Sequence, residues 1–315
     1  TRNFPNREGS KPGNGQIASV ALMDARSVAA TSANRGRITA ADELGYVYEC
    51  PEYHYDSKVY ANRVYQGFGK GNPEEELICG PNIKAWPELP ELNENMLLKV
   101  CAYITDSVTT TDELIPSGET GSFRSNPMGL AEFTLSRRAP EYVGKAKAVM
   151  NNEKARKEGN CPEEIREILD KIHTIPGYEK VEDESIDLSS TIYAVKPGDG
   201  SAREYAATCQ RVIGGWANIC REYATKRYRS NLINWGILPF TFQGVPCFKT
   251  GSLLWVPGIR RVLESGGNEA EAFVIPESRE EKPEKITLSL GTLGETERRI
   301  LLEGCLINYY KCGGR

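Results

Sequence analysis

The chain has 315 residues, of which 39% are hydrophobic and 26% charged, with a formal net charge of −4. This composition describes a soluble globular protein with a core, and the acidic balance excludes a chain-wide attraction to nucleic acid. Any anion site must be local. No apolar run reaches the length of a membrane span, and the first residues lack the basic-then-apolar order of a secretory signal.

Residues 17–33, "IASVALMDARSVAATSA", carry small and apolar residues at helical spacing, and "RGRITAADEL" closes that unit. Residues 45–92 mix Tyr, Pro, Gly and both charges, which reads as a linker with few regular elements. A second unit opens with the strand-like "MLLKVCAYITDS" (96–107), and "APEYVGKAKAVM" (139–150) reads as a helix. Pro162 suits a first helical turn, with Glu163 and Glu164 at the positive helix end. Ile165, Ile168, Leu169 and Ile172 then form one apolar stripe. "STIYAV" (190–195) is β-branched and aromatic and predicts a strand. "EYAATCQRVIGGWANI" (204–219) predicts one continuous helix, while "INWGILPFTF" and "LLWVPG" predict short strands or turns. "PESREEKPEKITLSLG" (276–291) reads as an exposed loop feeding a strand.

Between that strand and helix lies "GDGSAREYAA" (198–207), with two glycines one residue apart and then Ser201 and Arg203. A Gly-rich turn at a helix start presents backbone N–H groups and the positive helix end, so its natural guest is an anion. A plainer alternative is a strand–helix turn with Ser201 as helix cap. The nine cysteines (Cys50, Cys79, Cys101, Cys161, Cys209, Cys220, Cys247, Cys305 and Cys312) are scattered, odd in number and never spaced as CxxC. Reduced thiols in a cytoplasmic setting are therefore expected. His54 and His173 have no metal-spaced partner, and no zinc or iron–sulfur ligand set is legible.

"GDGSAREYAA" resembles the GxGSSREHAA motif of the aconitase and isopropylmalate isomerase family of iron–sulfur hydro-lyases. Four further stretches are similar to that family in the same order. "TRNFPNR" (1–7) resembles NRNFxGR, and "TDSVTTTDELIPSGETGSFR" (105–124) resembles the TTDHISxAG segment. "GGWANICREYATKRYRSNLINWGILPFTF" resembles the run leading to Gly-Leu-Leu-Pro, and "ETERRILLEGCLINYY" the closing segment. The resemblance implies an α/β fold: an aconitase-type swivelling β/β/α domain over 93–315, a linker over 45–92, and at 1–44 the end of an α/β cluster-bearing domain. It also implies a C-terminal half, with a [4Fe–4S] cluster in the full-length protein whose ligands lie outside this chain. The opening at Thr1 within a polar stretch agrees with that expectation.

The family's reaction removes and restores water across a carbon–carbon bond of a di- or tricarboxylate. By resemblance Ser201 is the base, helped by Arg203. Arg2, Arg7 and Arg124 bind substrate carboxylates together with Gly200 and Ala202, and Asp112 orients polar groups. A serine hydroxyl is a poor base, and its alkoxide needs N–H groups and cations nearby. A guanidinium suits a carboxylate because its fork makes two parallel charge-assisted bonds and never deprotonates. The alternatives are solvated loop charges for Arg2 and Arg7 and an Asx turn or helix cap for Asp112. The chain departs from the family at Ala202 (usually Ser), Glu113 and Tyr205 (each usually His) and Thr1 (usually Asn), which leaves the substrate open.

The expected partners are a small di- or tricarboxylate and the missing cluster-bearing domains, with no membrane. The resemblance implies that the chain alone has no hydratase turnover, the Lewis acid lying elsewhere. Two other readings stand beside the enzyme. One is a non-catalytic nucleic-acid-binding homologue, supported only by "REYATKRYRS" (221–230). The other is a separate swivel subunit of a split isomerase, against which "TRNFPNR" argues.

Overall fold

The computed structural model describes residues 22–45, 49, 51–61, 69–76, 78–116, 118–276, 278 and 281–314. Arg2 and Arg7 lie outside them. The chain parts into two compact units, one holding the described residues from 22 to 78 and the other running on from Cys79.

In the first unit, α1 (Ala25–Ala33) begins where the Asp24 carboxylate accepts from the N–H groups of Arg26 and Ser27, an N-cap of ordinary kind. Of the helix predicted over 17–33, Ala25–Ala33 is observed; residues 22–24 precede the helix, and residues 17–21 lie outside the described residues. A 3-10 turn at Ala41–Leu44 and the short α2 (Ser57–Ala61) are the other helical pieces described there.

The second unit is mixed α/β. It runs β1 (Asn95–Ile104), β2 (Thr109–Thr110), α3 (Thr111–Leu114), α4 (Pro127–Ala131), α5 (Tyr142–Lys157) and α6 (Glu163–His173). Then come β3 (Ile186–Ala194), β4 (Pro197–Asp199), α7 (Arg203–Val212), β5 (Gly215–Cys220), α8 (Lys226–Asn234) and β6 (Leu238–Thr241). The last part holds β7 (Leu253–Val256), α9 (Ile259–Glu264), β8 (Glu269–Ile275), β9 (Glu284–Ser289), α10 (Glu295–Leu302) and α11 (Leu306–Lys311).

Its larger sheet closes on itself in the order β1-β3-β5-β6-β9-β8-β7. The neighbours β1, β3, β5 and β6 run parallel, and antiparallel pairs close the rest. β3 and β5 are buried at every residue, as strands covered on both faces must be. Two buried clusters sandwich the sheet. One holds Leu98, Val100, Ala217, Phe240, Leu254, Ala272 and Leu288; the other joins Leu97, Leu188 and Ile192 to Val149, Ile168 and Val212 of the flanking helices. In α6 the predicted stripe Ile165, Ile168, Leu169 and Ile172 is buried, and Pro162 is the residue just before the helix.

The helix predicted over 204–219 is corrected. Helix α7 stops at Val212, the chain turns at Gly214 (φ +87°), and "GWANIC" becomes the central strand β5. The glycine pair breaks the helix, and a short apolar run that follows satisfies a buried parallel strand as well as a buried helix. At the same helix end the buried Arg211 lies 3.4 Å over the Trp216 ring and donates to the carbonyl of Gly304 at 3.1 Å. Burial pushes its guanidinium down to about 9. This contact anchors the end of α7 to the C-terminal segment.

Candidate active site

Strands β1 and β3 are parallel neighbours and both chains leave the barrel at the same end. Just beyond it, β2 and β4 form a small parallel sheet with Thr109 opposite Pro197 and Thr110 opposite Asp199. The two chains therefore leave this sheet side by side. One continues into Thr111 and Asp112, the other into Gly200 and Ser201. In open α/β sheets the crevice at the carboxyl ends of parallel strands is where ligands bind.

The turn is built so closely that two positions accept only glycine. Gly198 (φ +94°) lies on the buried Tyr228 ring, and an added Cβ would sit 2.5 Å from Tyr228 Cβ and closer still to the ring. Gly200 (φ +137°) lies on Thr111, where a Cβ would meet that residue's Cβ at 3.2 Å and its Oγ1 closer still. The carbonyl of Gly198 accepts from Thr225 Oγ1 at 3.2 Å, and Thr225 in turn caps α8. Thr110 caps α3 in a reciprocal capping box with Glu113. The starts of α3, α7 and α8 thus meet at the 197–202 turn, and the positive ends of their backbone dipoles meet with them.

Ser201 stands exposed at this junction. It does not cap α7: the cap position is Ala202, which makes no side-chain cap bond. The hydroxyl is therefore not consumed in ending a helix. Arg203 follows as the first residue of α7, partly buried. Arg124, at the end of a 3-10 turn (Gly121–Phe123), places its guanidinium 6.0 Å from the centre of the Tyr205 ring on α7. Asp112 is not the N-cap of α3, which is Thr110. Its Oδ2 pairs with Arg137 Nη1 at 2.8 Å. Ser201, Arg203, Arg124, Asp112, Gly200 and Ala202 all belong to the elements around this one turn.

Sequence reading missed two residues here. Tyr205 counted only as a departure from the family pattern, yet it holds Arg124 against α7. Arg137 drew no attention because its partners Asp112 and Glu119 lie 25 and 18 residues away. In the basic stretch 221–230 both tyrosines and Arg229 serve the packing, while Arg221, Lys226 and Arg227 are exposed. The Tyr228 ring is buried, Tyr223 donates to the carbonyls of Asn218 and Phe240 at 3.3 Å, and Arg229 binds the carbonyls of Leu290 and Thr292. Neither tyrosine is placed to stack on a base.

No curated protein matches the chain. Residues 146–244 match the family described as the Aconitase C-terminal domain. That span is about a third of the chain. The matched span contains the 198–207 turn, α7, β5, α8 and β6, but not Asp112 or Arg124. Among solved structures, the 3-isopropylmalate dehydratase (leuD) of Methanocaldococcus jannaschii is similar at 18% identity and a TM-score of 0.40, over 69% of this chain and 95% of that one.

Among the described residues, no set of side chains fits an iron–sulfur cluster. Among the described residues no three His, Cys, Asp or Glu side chains gather as a metal site, and the eight described cysteines are separate free thiols. Burial pushes the Cys101 thiol up to about 11 and that of Cys209 up to about 12, the reverse of what a metal-binding thiolate needs. Alkylation of the native chain at neutral pH is expected to modify the exposed Cys79, Cys247 and Cys312. The buried Cys101, Cys209, Cys220 and Cys305 should react only after denaturation. Peptide mass mapping checks this, and rapid native labelling of Cys101 or Cys209 would contradict it.

Proposed function

We propose that this chain is the carboxylate-binding and proton-transferring half of an aconitase-like [4Fe–4S] hydro-lyase acting on a di- or tricarboxylic hydroxy acid. The observation that supports it most directly is the parallel register of Thr110 with Asp199, joined to the contact of Arg124 with Tyr205. Together they bring a hydroxyl, two guanidinium groups and a carboxylate from two distant stretches of sequence to one turn.

In this reading Arg124 and Arg203 grip substrate carboxylates through forked, charge-assisted bonds. The Ser201 oxygen takes the proton from the carbon beside a carboxylate, and on rehydration the same hydroxyl returns it. An alkoxide there is favoured by the helix dipoles meeting at the turn and by Arg203. The hydroxyl leaving the neighbouring carbon is received by groups outside the described residues, and the cluster-bearing region is the partner that completes the enzyme. Ala202, beside the base, and Tyr205 are the positions where the substrate preference would differ from that of the wider family.

Carboxylate binding can be tested on the chain itself. Citrate titrated into the full chain by calorimetry is expected to bind, and Arg124→Ala should weaken that binding by about ten- to a hundredfold, the worth of one charged hydrogen-bonding group. Tyr205→Leu keeps the guanidinium but removes its support, so about a two- to fivefold loss is expected, the value of an exposed cation–ring contact. Equal affinity in wild type and Arg124→Ala would remove Arg124 from the site. Hydratase turnover by the isolated chain, without the cluster-bearing region, would contradict the division of labour proposed.

A further inference from the structure

Immediately after α4 the chain makes an unusual knuckle. Leu135 is fully buried, yet its φ is +55°, a left-handed conformation that side chains rarely take. Its N–H donates to the carbonyl of Leu114 at the end of α3, and its own carbonyl accepts from Arg138 and Ala139. Strained backbone persists where the surroundings over-determine it, and such places cluster at functional sites. What this knuckle does is turn two consecutive arginines, Arg137 and Arg138, back onto two consecutive acids, Asp112 and Glu113.

The two arginines divide the work. Arg138 pairs with Glu113 at 3.4 Å and with Asp106, both on the β1–α3 side of the site. Arg137 spans a gap: Nη1 reaches Asp112 at 2.8 Å and Nη2 reaches Glu119 Oε1 at 2.6 Å. The hydrogen bond to Glu119, before the nearby charges, holds its guanidinium above the usual range. Glu119 opens the loop that ends at Arg124. That loop is otherwise closed by short-range bonds, Thr120 Oγ1 to the Pro116 carbonyl and the Phe123 N–H to the Thr120 carbonyl. One planar guanidinium therefore bridges the turn that carries Asp112 and the loop that delivers Arg124. A lysine, with a single point of charge, cannot hold two carboxylates in the same fork.

We propose that Arg137 is a positioning residue that locks the Arg124 loop to the Asp112 turn and so sets how tightly the site holds a carboxylate. The inference rests on the carboxylate-binding reading given above. It does not touch substrate and acts only through Arg124 and Asp112.

The test uses the full chain with Arg137→Gln, Arg137→Lys, Glu119→Gln and Arg138→Gln, with amide hydrogen exchange, citrate calorimetry and thermal unfolding. In Arg137→Gln and in Glu119→Gln, amides of residues 118–126 are expected to exchange about three- to tenfold faster. Citrate affinity should fall by a similar factor, as for the loss of a partly exposed two-point ion pair. The two substitutions combined should cost no more than either alone. Arg137→Lys should recover part of the loss, and Arg138→Gln should leave the 118–126 amides unchanged. Citrate binding that survives Arg137→Gln undiminished overturns the role of Arg137 alone. A general loss of amide protection throughout the barrel, with a lowered melting temperature, also overturns it by marking a folding role. Absence of citrate binding by the wild-type chain overturns instead the reading of the site, whatever the loop amides show.

Discussion

Replacing Ser201 by alanine is expected to lower kcat about 10²- to 10⁴-fold in the cluster-reconstituted enzyme, the range of a general base, with substrate affinity nearly unchanged. The expectation follows from what Ser201 does not do. It is exposed, it caps no helix, and the cap position of α7 belongs to Ala202. Removing its oxygen leaves no orphaned donor in the core and should shift stability by no more than an ordinary surface change, within about 0.5 kcal/mol. The carboxylate grip rests on other residues, Arg124 and Arg203. An interaction used only in the transition state lowers kcat and kcat/KM together, and that pattern, with binding intact by calorimetry, is the signature to look for. If affinity collapsed in step with rate, Ser201 would be a binding group and the base would lie elsewhere.

Much of this site was legible because its signals are local. The strand "STIYAV", the two glycines and the helix start at Arg203 sit within a span of fifteen residues, and each rests on propensity or backbone freedom. The apolar stripe of α6 was equally plain. Barrel closure was not, because it depends on pairings such as Thr241 with Ser289 and Leu97 with Trp255, whose register no short window records. The segment "GGWANI" shows the same gap: its apolar run fits helix or strand, and only its place between β3 and β6 decides. The arginine pair in "LSRRAP" carries no signal within its own stretch. Its meaning comes from the left-handed Leu135, a conformation that leucine does not advertise. Tyr205 was visible as a substitution, but its use as a support for Arg124 needs the distance between a loop and a helix.

The second large effect concerns the turn itself: Gly198→Ala is expected to destabilise the chain by about 2–5 kcal/mol. Two costs add. A side chain at φ +94° is held in a region that L-residues avoid, at about 1–2 kcal/mol. The new methyl would also be driven into the Tyr228 ring, and overpacking of that kind costs about 1–3 kcal/mol. The ring has no easy retreat. It is fully buried, and its hydroxyl is tied to Gln210 at 3.1 Å and Asn218 at 3.4 Å, which are themselves joined at 2.8 Å. Burial keeps that phenol far above its usual range, so it stays neutral within this network. Against a total stability of about 5–15 kcal/mol the loss is large and should appear as a lower urea midpoint at constant slope. A double-mutant cycle separates the two costs. In a Tyr228→Ala background the clash is gone and only the backbone strain remains, so Gly198→Ala should cost about 1–2 kcal/mol there. An equal cost in both backgrounds would mean that the ring does not confine the turn. A cost below about 0.5 kcal/mol in the wild-type background, the size of an ordinary surface change, would mean that neither the ring nor the positive φ constrains it. Ser201 would then lack the rigid platform on which its chemistry depends.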